Sequence, residues 1–135
     1  MKITVETFIK SDIDSVWSAW NNPDDIKQWN AASSDWHTTA STVDLREGGS
    51  FSSRMEAKDG SMAFEFAGTY TSVVPKKQIE YELEDGRVVA IVFVTKENGV
   101  RVTETFDADS EMSAEQQRQG WQSILNNFAT HVEGI

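Results

Sequence analysis

The chain has 135 residues, with 12 Lys+Arg against 22 Asp+Glu, two His and no Cys. That length predicts one domain, 1–135, which by size scaling buries roughly 68% of the surface its unfolded form exposes. A net charge of −10 gives the long-range field the wrong sign for nucleic acid or an anionic membrane, and the missing thiols exclude disulfides, iron–sulfur clusters and a cysteine nucleophile.

Ile3, Val5 and the Thr7–Ile9 stretch alternate as a first strand. The opening Met1-Lys2-Ile3-Thr4 has no charged-then-apolar signal region, which predicts a cytoplasmic protein. Ser11 followed by Asp14 has the form of a capping box, and Val16, Trp17 and Trp20 then fall at helical spacing. Asn22-Pro23-Asp24-Asp25 starts a second short helix, with Asn as cap, Pro in the first turn and acids where the dipole favours them. Ile26 and Trp29 are its apolar face.

From Trp36 to Asp107 turn signals recur at short intervals. Gly48-Gly49, Asp59-Gly60, Pro75-Lys76-Lys77, Asp85-Gly86 and Asn98-Gly99 predict six antiparallel strands near 37–47, 50–58, 62–74, 78–84, 87–96 and 100–108. Ser113 and Gln116 then cap a long amphipathic helix through Gln117, Trp121, Ile124, Leu125, Phe128 and Val132. Gly120 inside that helix costs about 1 kcal/mol relative to Ala, which predicts a close backbone approach there. The longest apolar run, Val88–Val94, is far short of the ~20 residues of a spanning helix. It is apolar on both faces, so its outer side is expected either to be covered or to form a weak homodimer.

The order β-α-α-β6-α is an α+β architecture. A long antiparallel sheet and one amphipathic helix cover each other's apolar faces by curving the sheet around the helix, which leaves space between them. Leucine appears three times and tryptophan five, so that interior is built from β-branched and aromatic side chains.

In this order and spacing the chain resembles the START/Bet v 1-like helix-grip superfamily, and within it the bacterial proteins similar to the C-terminal domain of the activator of Hsp90 ATPase. The resemblance rests on Val16-Trp17, Pro23-Asp24-Asp25-Ile26 and Trp29, and on Val43-Asp44-Leu45-Arg46 running into Gly48-Gly49-Ser50-Phe51. It continues through Met55, Asp59-Gly60, Phe64-Glu65-Phe66, Gly68-Thr69-Tyr70, Pro75, Ile79-Glu80-Tyr81 and Asp85-Gly86-Arg87. Thr105-Phe106-Asp107 and Gly120-Trp121 with Leu125 and Phe128 complete it. The resemblance implies a lidded hydrophobic cavity for small apolar or aromatic molecules. Some distant relatives are aromatase/cyclase-type enzymes and others only carry ligands.

Strand phase assigns the side chains of such a cavity. Phe64, Phe66 and Tyr70 share a face with Met62, Ile79, Tyr81 and Leu83 alternate with Glu80, Glu82 and Glu84, and Phe51 shares a face with Met55. The expected ligand-binding set is Trp29, Met55, Phe64, Phe66, Tyr70, Tyr81, Phe93, Trp121 and Leu125, with Glu104 as polar anchor. Any one of these apolar residues alone reads first as plain core packing.

Glu104 breaks the pattern, because Val100, Val102 and Phe106 share its parity. It either reaches solvent or a surface arginine at the strand end, anchors a ligand hydroxyl or amine, or acts as a general acid/base. Asp44 and Arg46 share a face and are placed to pair; turned inward, Arg46 or Arg54 would hold a carboxylate. His37 and His131 read as a surface residue and a helix C-terminal residue. Asp24-Asp25 and the Glu80/Glu82/Glu84 row read as helix-start acids and a solvated stripe, so neither a metal nor a cofactor is expected. Binding of a small apolar or aromatic molecule is therefore the leading expectation. A cyclase/isomerase-type enzyme using Glu104 and a chaperone-regulating interaction domain are the alternatives.

Overall fold

The computed structural model describes residues 1–135. Three helices and seven strands follow one another as β1 (Lys2–Ile9), α1 (Ile13–Asn21), α2 (Pro23–Trp29), β2 (Trp36–Val43), β3 (Ser50–Ala57), β4 (Ala63–Val74), β5 (Gln78–Leu83), β6 (Val88–Lys96), β7 (Gly99–Asp107) and α3 (Ala114–Glu133). The strands make one antiparallel sheet in the order β1-β7-β6-β5-β4-β3-β2. It is a curved half-barrel around the long C-terminal helix, the helix-grip fold. None of the helices is long and apolar enough to cross a membrane.

Local chemistry sets the element ends. The α1 cap is Asp12, not Ser11: its carboxylate accepts from the Ser15 backbone N–H at 2.8 Å. Ser11 is instead held in a turn, its N–H donating to the Ile9 carbonyl. That amide at Ser15 also holds the Asp12 carboxyl below the usual carboxylate range. Asn22 and Ser113 cap α2 and α3 as the sequence predicts. The Asp59-Gly60 and Asp85-Gly86 turns place glycine at φ +78° and +89°, the left-handed region where a side chain is strained.

The two sheet edges are protected by different means. Along β1, Arg118 and Gln122 of α3 donate to the Thr4 and Glu6 carbonyls at 2.9 and 3.0 Å. At β2, the Thr38 hydroxyl donates to the Asn30 carbonyl at 2.6 Å, tying the edge to the end of α2. Bulges between Thr38 and Ala40 and between Tyr70 and Ser72 interrupt the ladders on the half of the sheet away from β1, where extra residues bend and twist strands.

The interior has two halves. Beneath α1 and the C-terminal part of α3, Trp17 and Trp20 meet Phe93 edge-on at 5.3 and 5.8 Å, and Trp20 and Trp29 meet Phe128 at 4.9 and 4.8 Å. Ile91, Val100 and Val102 are fully buried there. The other half, beneath Trp121, is open. On the outer face, Val92 and Val94 of β6 are each 39% exposed, and no element covers them. Gly120 has no close neighbour: a Cβ placed on it meets nothing within 4 Å. The predicted backbone approach at that point is absent.

Candidate functional site

The open half holds a cavity of about 270 Å³, partly open to solvent, between the concave face of β2–β5 and β7, the ends of α1 and α2, and α3. Of the residues that strand and helix phase assign to it, Trp29, Met55, Phe64, Phe66, Tyr70, Tyr81, Glu104 and Trp121 are on its wall. Phe93 and Leu125 are not. Phe93 has the inward parity, but it pairs with Val102, one level beyond the Ile79–Ile91–Glu104 row, where α1 supplies two tryptophans that cover it. Leu125 follows Ile124 and is turned about 100° from it around the helix, into the core, where it is 1% exposed.

Several wall residues have no counterpart in the expected set. Phe51, Ser53, Ile79 and Ile124 belong to the concave face by strand or helix phase and Val43 stands opposite Phe51 in the ladder, whereas Trp20, Ile26, Asn30 and Arg87 come to it through long-range packing. Trp20 lies 5.1 Å from Trp29, so it both anchors α1 and borders the cavity.

The wall is mostly aromatic and held by ring contacts. Phe51 meets Tyr81 edge-on at 4.6 Å and tilts against Tyr70 and Phe66 at 5.4 and 5.8 Å. Gly68 makes room for it: a Cβ there would lie 2.9 Å from both the Phe51 ring and the Glu82 carbonyl oxygen. From α3, Trp121 stacks on Phe106 and meets the Phe66 edge at 6.0 Å. At the rim, Phe64 is 47% exposed and rests on Trp36 at 5.7 Å. The Trp29 indole N–H donates to the Ala19 carbonyl at 3.0 Å, leaving its ring carbons for the cavity.

Glu104 neither reaches solvent nor meets an arginine. It is 5% exposed, lines the cavity, and sits between Val5 and Ile91 on the neighbouring strands. No protein group hydrogen-bonds to its carboxyl, and desolvation alone pushes its pKa up from 4.5 to about 8. The Tyr81 hydroxyl is pushed well above its ordinary value by burial and by the nearby Glu104 charge, and the Tyr70 hydroxyl is raised by burial. Both phenols are neutral donors and acceptors on the wall.

The cations are elsewhere or occupied. Arg46 pairs with Asp44 at 2.9 Å in the turn after β2, where the strand ends short of the expected residue 47, and Arg54 pairs with Glu56 at 2.8 Å and Glu65 at 3.5 Å on the outer face. Neither faces inward. Arg87 touches the cavity but bonds Asp85 at 2.7 Å and approaches Asp109 at 3.7 Å. His37 is exposed on β2, and His131 bonds Asp25 at 2.8 Å, joining α3 to α2. Asp25 therefore serves a helix–helix contact as well as the α2 N-terminus.

Comparison with known proteins agrees with this architecture. Residues 10–133 match the family described as activator of Hsp90 ATPase homolog 1-like protein. The AHSA1-like protein from Aeromonas hydrophila, solved by solution NMR, is 50% identical, with 99% of this chain and 93% of that one covered at a TM-score of 0.93. A protein from Cytophaga hutchinsonii is 44% identical, covering 98% and 92% of the two chains at a TM-score of 0.86. A Chromobacterium violaceum protein with 20% identity, 98% coverage of each chain and a TM-score of 0.88 is similar in fold alone. No curated protein matches the chain. Fold, spacing and the match over residues 10–133 agree: this chain belongs to the activator of Hsp90 ATPase homolog 1-like family of the START/Bet v 1-like helix-grip superfamily.

Proposed function

We propose that the chain binds a small hydrophobic or aromatic molecule in the cavity between the curved sheet and α3. The observation that carries this reading is an aromatic-walled space of about 270 Å³ beside a core whose other half is closely packed. Protein interiors are close-packed, so a space of this size between apolar side chains is a departure from ordinary core packing that a guest can fill. A dry cavity of about 150 Å³ admits benzene, so this one suits a guest of about ten non-hydrogen atoms, one substituted ring or two fused rings. Aromatic walls favour planar guests.

Trp20, Trp29 and Trp121 border the space and report on its occupancy. Titration of the protein with a panel of flat aromatic and short apolar compounds, read by tryptophan emission, is expected to give saturable changes. A panel of guests of this size that leaves the emission unchanged overturns the reading.

Glu104 favours one further reading, an enzyme of cyclase or isomerase type. A carboxyl with a pKa of about 8 in an apolar cavity is suited to move a proton near neutral pH. Under that reading Glu104→Gln abolishes turnover of a bound substrate while the fold and guest binding persist. Turnover that survives the substitution excludes Glu104 as the acid/base.

A further inference from the structure

The polar groups of the cavity wall do not balance. The Trp29 N–H is spent on the Ala19 carbonyl. The Arg87 guanidinium is engaged by Asp85 and Asp109, Arg46 is paired with Asp44 in the turn after β2, and Arg54 is paired on the outer face. The one charged wall residue without a protein partner is Glu104, more than nine-tenths buried, with its carboxyl toward the space. Its carboxyl oxygens are open to the cavity and are not sealed in the protein. A guest that covers them without offering a partner leaves them unpaired at a cost in free energy, and a guest that supplies the partner avoids that cost and gains the difference in affinity.

We propose that the cavity selects, among guests of its size, aromatic molecules bearing a hydroxyl group, a phenol or aromatic alcohol, whose O–H pairs with the Glu104 carboxyl, and that it turns away carboxylates. This deepens the ligand-binding reading and rests on it. A hydroxyl is neutral, so it enters an apolar space without the desolvation cost of an ion. It also donates and accepts, so it satisfies Glu104 whether the carboxyl is ionised or protonated. The Tyr70 and Tyr81 hydroxyls on the same wall have the same dual character and complete a polar lining without a free cation. A carboxylate guest of equal size meets a like charge, or forces Glu104 to hold its proton, and finds its only wall cation already paired. An unsubstituted hydrocarbon fills the space and leaves Glu104 unpaired.

The experiment is calorimetric titration of the full chain at neutral pH with ethylbenzene, para-ethylphenol and para-ethylbenzoate, all close to the size the cavity admits. The phenol is expected to bind about tenfold more tightly than ethylbenzene, the worth of one buried hydrogen bond, and the benzoate more weakly than either. In Glu104→Leu the preference for the phenol is expected to vanish while ethylbenzene binding persists. In Glu104→Gln the amide keeps the preference for the phenol and loses the penalty against the benzoate. Ethylbenzene or para-ethylbenzoate binding as tightly as the phenol overturns the selectivity and leaves ligand binding standing, as does a phenol preference that survives in Glu104→Leu. Failure of all three compounds to bind, with the fold intact by circular dichroism, counts against the cavity as a ligand site altogether.

Discussion

Trp121 of α3 lies flat on Phe106 of β7, with ring centroids 3.9 Å apart and planes 10° from parallel. The Phe106 ring is fully buried while Trp121 lines the cavity, so this stack seals the boundary between packed core and open space. Trp121→Ala removes the upper ring and enlarges a space that is already unfilled. The expected loss is about 3 kcal/mol, and Trp121→Phe, which keeps a ring over Phe106, is expected to lose less than half of that. Urea unfolding at fixed pH measures both, and a loss below about 1 kcal/mol for the alanine variant would show that the stack does not hold the helix.

Gly120 precedes that tryptophan and has open space where a Cβ would stand. Nothing in the packing therefore opposes Gly120→Ala, and the helix gains the propensity difference of about 1 kcal/mol. A rise in the thermal midpoint of about 3 °C is expected. An unchanged or lowered midpoint would mean that the chain uses the glycine for flexibility at the cavity margin.

Gly68 is the opposite case. Its Cβ would meet the Phe51 ring and the Glu82 carbonyl oxygen of the adjoining strand, both at 2.9 Å. The ring is the part that must give, because the carbonyl is fixed in the ladder with β5. Gly68→Ala is expected to cost about 1–3 kcal/mol. It should also change the binding of any guest that fills the cavity, because Phe51 on its wall is displaced. Unfolding and titration of the same variant separate the two effects.

The elements were legible because each boundary has a chemical marker: Asn22-Pro23 and Ser113 start helices, and Asp-Gly and Asn-Gly turn the hairpins. Strand parity likewise separates Ile79, Tyr81 and Leu83 from the outward glutamates of β5. Parity names a face but not a level along the strand. Phe93 accordingly lies on the correct side of β6, at a level that Trp17 and Trp20 fill. Trp20, Asn30 and Arg87 reach the cavity only through how α1, α2 and the β5–β6 turn fold over it, and no local spacing encodes that. The choice of Asp12 over Ser11 as cap turned on one residue's turn geometry at the end of β1. Glu104 was visible as a break in an apolar row. Its isolation depends on Val5 and Ile91, neighbours far away in sequence that the pairing of β1, β6 and β7 brings beside it.

That isolation makes the stability of the protein depend on pH in a definite direction. The Glu104 carboxyl is raised from 4.5 to about 8 in the native state by desolvation, so the native protein keeps a proton that the unfolded chain releases. Below 4.5 both states are protonated, and Glu104 contributes no pH dependence. Between 4.5 and about 8 the unfolded state is favoured progressively, by about 1.4 kcal/mol per pH unit, and above that window the loss is constant. Acids such as Asp12, Glu56 and Asp107 are held low by hydrogen bonds and give slopes of the opposite sign at lower pH. Those slopes cancel when the wild-type protein is compared with Glu104→Gln, which cannot ionise. The variant is therefore expected to differ from wild type by a fixed offset near pH 4 and to gain on it steadily up to about pH 8. The accumulated gain is of the order of 5 kcal/mol if the site stays dry. Urea unfolding of both proteins across that range measures the difference, and parallel curves would mean that Glu104 ionises freely in the folded protein.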